Sequence, residues 1–307
     1  MTRIPLACRI VRKYCPGRPG PAARITLAAV LALALCAAAS AWPSGARAQA
    51  KTKLTVYVID CGEADILKPE RWAPNAPEDV PPVAVVRCYL IQHPRGSLLW
   101  GTGLSDGLID KPEGVVIPNG ALRLRVSKGL QSQLRRISVK PEDITYVSMS
   151  HMHGDHSGNG NLFTRSTFII QQDEYDAAFG ADPGKYGFNP DLYGKLKDAQ
   201  VLKLNGDFDL FSDGSVVILR TPGHTPGHQS LFLDLPKMGS VVLSGDLWHF
   251  QANREKRRVP IFNFDAGLTL GSMKRLEEFI ALHKATVWIE HDAAQHAKIP
   301  HLPTAIH

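Results

Sequence analysis

Four side chains able to bind a metal lie within six residues: His151, His153, Asp155 and His156, in the run His151-Met152-His153-Gly154-Asp155-His156. Imidazole nitrogen and carboxylate oxygen are the donors that zinc takes at about 2.0–2.2 Å. At the end of a strand, residues i and i+2 point to one face, so His151 and His153 are expected to approach one point. Gly154 is expected to let the backbone turn tightly and so aim Asp155 and His156 at a neighbouring point. Four ligands supply half of two coordination shells, and the rest must come from other segments. Three candidates follow apolar, strand-like runs. His224 stands in Thr221-Pro222-Gly223-His224-Thr225-Pro226-Gly227-His228, Asp246 ends Val241-Val242-Leu243-Ser244-Gly245-Asp246, and His291 follows Val287-Trp288-Ile289-Glu290. Ligands at the ends of buried strands gather along one edge of the sheets that hold them.

The elements needed to position these residues are legible as periodic segments. Strands are expected at 53–59, 83–91, 97–100, 144–150, 168–170, 216–219, 229–234, 240–244 and 286–289, from runs rich in β-branched and apolar residues. Helices are expected at 129–137, 173–179 and 270–283, the last with apolar residues at 270, 273, 276, 279, 280 and 282. Residues 68–82 hold five prolines and read as an irregular loop, as do the Gly- and Pro-rich residues 103–121. The mixed segment 180–200 is placed at a substrate entrance. Strands followed by helices at intervals, together with strand-only stretches, indicate an α/β layered protein.

The formal net charge of +6 is misleading as to partners. Residues 1–48 contain no Asp or Glu but seven basic residues, an apolar run at 25–41, and Ala46-Arg47-Ala48. Basic region, apolar stretch and a small-x-small site make a secretory signal peptide, cleaved after Ala48. The alternative, a membrane anchor, is disfavoured because this almost purely apolar run of 17 residues falls short of a span of about 20. Removing seven from the 35 basic residues leaves 28 against 29 acidic ones, a net charge near −1 for residues 49–307. That remainder is expected to be one domain, periplasmic or secreted, a monomer or homodimer, with no nucleic-acid partner and no stable membrane anchor. Cys61 and Cys88 remain in it, either as one disulfide or as two separate thiols.

The four ligand-bearing segments, in this order, resemble the metallo-β-lactamase superfamily, and the spelling is most similar to its N-acyl homoserine lactonase branch. The specific parts are Ser150-His151-Met152-His153-Gly154-Asp155-His156-Ser157-Gly158-Asn159 and residues 221–232. The resemblance spans roughly 54–295 and implies an αββα four-layer sandwich with the site at one edge. It implies two Zn2+ per chain: one held by His151, His153 and His224, the other by Asp155, His156 and His291, with Asp246 bridging them. Iron, manganese or cobalt would also suit such ligands. The implied reaction is the opening of a lactone ring, with N-acyl homoserine lactones (quorum quenching) as expected substrates, by a hydroxide bridging the metals. Asp155 would then carry a proton to the leaving oxygen. Aryl esters, other lactones or organophosphate triesters are the alternative substrates, and a noncatalytic metal-binding protein is the remote one.

Two positions depart from the lactonase pattern. His249 stands where a tyrosine hydrogen-bonds the substrate carbonyl; imidazole can also donate, and His249 is therefore a candidate catalytic residue. Gly101 stands where relatives usually carry the aspartate of Asp-Thr-Gly. Among the other histidines, His228 is expected to be buried and structural, His93 exposed in a turn, His283 at a helix end, and His296, His301 and His307 on the surface or tail. The basic run 254–258 is expected to be solvated, or to steer an anionic substrate. Trp248, Phe250, Phe262 and Phe264 are candidates for core packing or an acyl-chain pocket.

Overall fold

Strands that are apolar at nearly every position must be covered on both faces, and the runs at 83–91 and 216–219 are of this kind. The computed structural model describes residues 52–307; the signal-peptide reading of residues 1–48 lies outside them. Its strands, in chain order, are β1 (Thr55–Ile66), β2 (Val83–His93), β3 (Gly96–Trp100), β4 (Val115–Val116), β5 (Leu122–Arg125), β6 (Tyr146–Ser148), β7 (Thr167–Gln171), β8 (Val201–Leu204), β9 (Phe208–Asp209), β10 (Val216–Arg220), β11 (Gln229–Leu235), β12 (Gly239–Leu243) and β13 (Thr286–Trp288). The α-helices are α1 (Leu130–Arg136), α2 (Gly154–Ser157), α3 (Gln172–Phe179), α4 (Gln251–Glu255), α5 (Ala266–His283) and α6 (Ala293–His296).

Two mixed sheets form. One runs β4-β5-β1-β2-β3-β6-β7-β8 and the other β13-β12-β11-β10-β9. Alternation along each strand builds three apolar layers. Val56, Val58, Tyr89, Ile91 and Leu98 of the first sheet meet Val216, Ile218, Leu231, Leu233, Val241 and Leu243 of the second. On the outer face of the first sheet, Cys88, Leu90, Leu99, Phe168 and Ile170 pack with Leu130 and Leu134 of α1 and Ala177 and Ala178 of α3. On the outer face of the second, Leu219, Phe232, Val242 and Val287 pack with Met273, Leu276 and Ile280 of α5. The result is the αββα sandwich. Among the described residues, no helix is long and apolar enough to cross a membrane.

Several boundaries differ from expectation. β1 continues to Ile66 because a bulge at Asp60/Gly62 shifts its register on β2 and lets Glu63–Ile66 pair with β5. β4 lay in a segment read as irregular, and β5, β8 and β9 in segments given no assignment; the first two are half or fully exposed, and such edge strands need no apolar run. α5 starts at Ala266, earlier than 270, because Asp265 caps it by accepting from the Leu268 amide at 2.8 Å. Cys61 on β1 and Cys88 on β2 form a disulfide. His93 is buried rather than exposed: its ring stacks on Phe211 at 3.9 Å and its Nε2 lies 2.9 Å from Asp213 Oδ2. His296 is fully buried as well, with Nε2 on the Ile289 carbonyl, and His301 pairs with Asp60 at 3.0 Å.

Candidate metal centre

The site lies at the ends of β6, β10, β12 and β13, where four loops leave the two sheets. β6 stops at Ser148, so His151 and His153 lie beyond the strand and not on its face as expected. Their placement comes instead from α2: His153 occupies its N-cap position, and Gly154, Asp155 and His156 are in its first turn. Gly154 is not at positive φ, contrary to the expected tight turn; a side chain there would meet Leu192 at 3.1 Å. After β10, Gly223 has φ +135°, and a Cβ on it would lie 2.3 Å from the Thr269 amide nitrogen. Glycine thus lets the His224 loop press against the start of α5.

All seven expected ligands come together, in two groups. His151, His153, His224 and Asp246 form one; Asp155, His156 and His291 form the other; within each, the donor atoms lie within 4.8 Å of one another. In the first group, His151 Nε2 is 2.7 Å from His153 Nδ1, and His224 Nε2 is 3.2 and 3.1 Å from those two atoms. Asp246 stands between the groups. Its Oδ2 lies 3.4 Å from His224 Nε2 and 3.8 Å from His151 Nε2. Its Oδ1 lies 3.1 Å from Nε2 of both His156 and His291. Asp155 Oδ2 completes the second group at 3.7 Å from His156 and 3.6 Å from His291.

The far nitrogen of each ring is engaged, which turns the near nitrogen inward. His153 Nε2 reaches the Tyr186 carbonyl at 3.0 Å, His224 Nδ1 the Asn263 Oδ1 at 3.1 Å, and His291 Nδ1 the Val85 carbonyl at 2.8 Å. His151 Nδ1 and His156 Nδ1 both face the Ser150 hydroxyl, at 3.0 and 3.2 Å. His228, which is fully buried, accepts from the Asp246 amide at 3.0 Å and so fixes the bridging residue's backbone. Ser150, Asn263 and Glu174 were missed as site residues. Glu174 accepts from the Met152 and Gly227 amides at 2.9 and 2.8 Å and ties two ligand loops together. Ser150 had only its proximity to a ligand as a signal in the sequence, and Asn263 and Glu174 had not even that.

The electrostatics suit cations. Burial holds His151 and His224 well below the usual imidazole pKa and lowers that of His153. Burial also opposes protonation of His156 and His291, but the Asp246 and Asp155 carboxylates outweigh it and raise them to about 9 and about 10. The two carboxylates therefore draw positive charge into a buried cluster. His156 Nε2 and Asp246 Oδ1, although 3.1 Å apart, are buried atoms without a well-angled hydrogen bond. Such orphaned donor atoms in a converging His/Asp set fit metal ions.

His249 lies beside the cluster, 3% exposed, with Nε2 3.1 Å from Asp246 Oδ2 and Nδ1 without a partner among the described residues. Phe262 stands edge-on to both His224 and His249, at 6.0 and 5.6 Å, and against Trp72 at 5.2 Å. Of the other aromatic candidates, Trp248 and Phe250 are core residues and Phe264 is exposed beside Tyr186. In the basic run, Arg254 pairs with Glu277, and Lys256 and Arg258 with Asp79, which leaves less charge for steering a substrate. Segment 180–200 reaches the site through Tyr186, with Asp182, Lys185 and Tyr186 lining a cleft of about 580 Å³.

Comparison with known proteins agrees with this architecture. Residues 81–291 match the family model of the metallo-beta-lactamase superfamily. An N-acyl homoserine lactonase of a Bacillus species is 33% identical over 219 residues, covering 68% of this chain and 82% of that protein. The N-acyl homoserine lactonase AttM of Rhizobium radiobacter is 31% identical over 224 residues, covering 66% and 80%. A solved N-acyl homoserine lactone hydrolase, with the product N-hexanoyl-L-homoserine bound at its catalytic metal centre, superposes with a TM-score of 0.72 at 28% identity, covering 83% of this chain and all of that one. The chain is a hydrolase of the metallo-beta-lactamase superfamily.

Proposed function

We propose that this protein is a zinc-dependent lactonase that opens N-acyl homoserine lactones at a dinuclear centre. The observation that carries the reading is Asp246, which turns Oδ2 to one ligand group and Oδ1 to the other. His151, His153 and His224 would hold one ion, and Asp155, His156 and His291 the other. Two bound zinc ions would supply a hydroxide at neutral pH and an electrophile for a carbonyl oxygen. His249 Nδ1, buried and without a partner among the described residues, is the donor available to the substrate carbonyl. Asp155 is the partly exposed carboxylate of the site and the residue suited to pass a proton to the opening ring oxygen. Phe262 and Trp72 offer an apolar wall beside these groups. The relatives named as lactonases support the choice of substrate.

The test pairs metal analysis with rates on homoserine lactones of several chain lengths, an aryl ester and a phosphotriester. Two zinc ions per chain and preference for the lactones are expected. Asp246→Ala should lose metal and lower kcat/KM by at least about 100-fold, because the centre no longer preorganises charge. Full activity with one metal per chain would overturn the dinuclear reading, and faster turnover of the phosphotriester would overturn the substrate. Export to the periplasm or medium belongs to the same proposal. It is supported by the signal-like residues 1–48 and by the Cys61–Cys88 disulfide, a bond typical of oxidising compartments. Cell fractionation that found the protein in the cytosol would reject it.

A further inference from the structure

Four of the sandwich's loops bring ligands to the centre, yet one small side chain touches a ligand from each metal group. Ser150 is 2% exposed. Its Oγ lies 3.0 Å from Nδ1 of His151, a ligand of the first group, and 3.2 Å from Nδ1 of His156, a ligand of the second. The other three imidazoles each have a private partner: a carbonyl for His153 and His291, an amide oxygen for His224.

A hydroxyl has one hydrogen and two lone pairs. If Ser150 donated its hydrogen to either ring, that Nδ1 would be the unprotonated nitrogen, and a neutral ring would then carry its proton on Nε2, the atom facing the centre. A protonated Nε2 cannot bind a metal. Only one arrangement leaves both Nε2 atoms as lone pairs: both Nδ1–H groups donate, and the oxygen accepts twice. We infer that the Ser150 hydroxyl accepts from both His151 and His156 and is the positioning group that fixes the metal-binding tautomer in both halves of the centre at once.

The surroundings hold this oxygen in place. The Ser150 carbonyl accepts from the Gln229 amide at 2.9 Å, and Gln229 Nε2 in turn binds Ser148 Oγ and the Met149 carbonyl, each at 2.9 Å. Across the centre, Gly245 (φ +52°) precedes the bridging Asp246; a Cβ on it would come within 2.4 Å of the Ser150 Cβ. The absence of a side chain at 245 is what admits Ser150 between the loops. Gly101 contributes no carboxylate to the centre, and none of the five ligand rings depends on one, because Ser150 serves two of them.

The inference rests on the two-metal reading and is independent of the substrate. Nitrogen-15 spectra of the zinc-loaded protein should show His151 and His156 both protonated on Nδ1 and bare on Nε2; an Nε2–H on either ring overturns the inference. Ser150→Ala should weaken both zinc-binding steps by about 10–100-fold, the usual cost of removing a partner behind a ligand, read by competition with a chromophoric chelator. Ser150→Thr, which keeps the hydroxyl, should recover most of that loss. If Ser150→Ala weakens one step only, or neither, the shared role is wrong. If a variant does not fold, the wild-type spectra decide. Failure of the wild type to bind two zinc ions would sink the metal reading, whereas two bound ions with other tautomers would sink only this inference.

Discussion

His249 sits 3.1 Å from Asp246 with one ring nitrogen buried and unpartnered among the described residues, an arrangement that costs stability unless something else meets that nitrogen. His249→Phe keeps a ring of similar size and removes the donor. The expected result is a kcat about 100-fold lower, the scale of one lost hydrogen bond to a developing oxyanion, with both metals retained. An unchanged kcat would assign His249 to packing alone. The ligands themselves were legible in the sequence because each required residue type appears at the end of an apolar run. The partners behind them were not. Asn263 and Glu174 are ordinary polar residues far along the chain from the ligands they serve, and only the fold brings them within 3.1 Å of His224 and 2.9 Å of the Met152 amide.

At the level of elements, the β2–β3 hairpin is fastened to the loop between β9 and β10 by Asp213. It accepts from His93 Nε2 and Arg95 Nη2, both at 2.9 Å, from the Ser215 amide and hydroxyl, and from Thr52 Oγ1. Burial pushes the Asp213 pKa up, but the hydrogen bonds from Ser215 and His93 outweigh it and hold the group well below the ordinary 3.8. A depressed carboxylate stabilises the fold fully above its unfolded value and loses that contribution as pH falls below it. Asp213→Asn should therefore cost about 1–3 kcal/mol at pH 7 and flatten the decline in stability below pH ~4. Equal acid sensitivity in variant and wild type would refute this. The disulfide joins neighbouring strands 27 residues apart in sequence. Replacing both cysteines with serine should lower unfolding free energy by about 2–4 kcal/mol in urea titrations. His93 was misjudged because turns are usually exposed; the second sheet, invisible from local sequence, covers it.

For the whole molecule, stability depends on the layer between the sheets, and activity on the edge where the same strands end. Leu231 is fully buried in that layer. Leu231→Ala should cost about 2–5 kcal/mol while leaving turnover per folded molecule nearly unchanged at low temperature, because the residue touches no ligand. A large loss of kcat in the folded variant would mean that the sheets transmit strain to the centre. The α5 helix illustrates the same division. Its apolar stripe seals the second sheet, while its first turn supplies Thr269 as the contact against which the His224 loop closes.

The amino-acid sequence alone determined which atoms can bind metal, the order of the segments that carry them, and the apolar runs that become the central strands, because residue chemistry and local periodicity are properties of short segments. It also determined that Asp246 follows a strand, and so belongs at a sheet edge. Only the tertiary structure decided that Asp246 divides its two oxygens between the groups, that Cys61 meets Cys88, that His93 and His296 are interior, and that Ser150 stands behind two ligands at once. Each of these depends on the packing of segments distant in sequence, and a difference of an ångström or two there decides whether a polar atom is bonded, coordinating or orphaned.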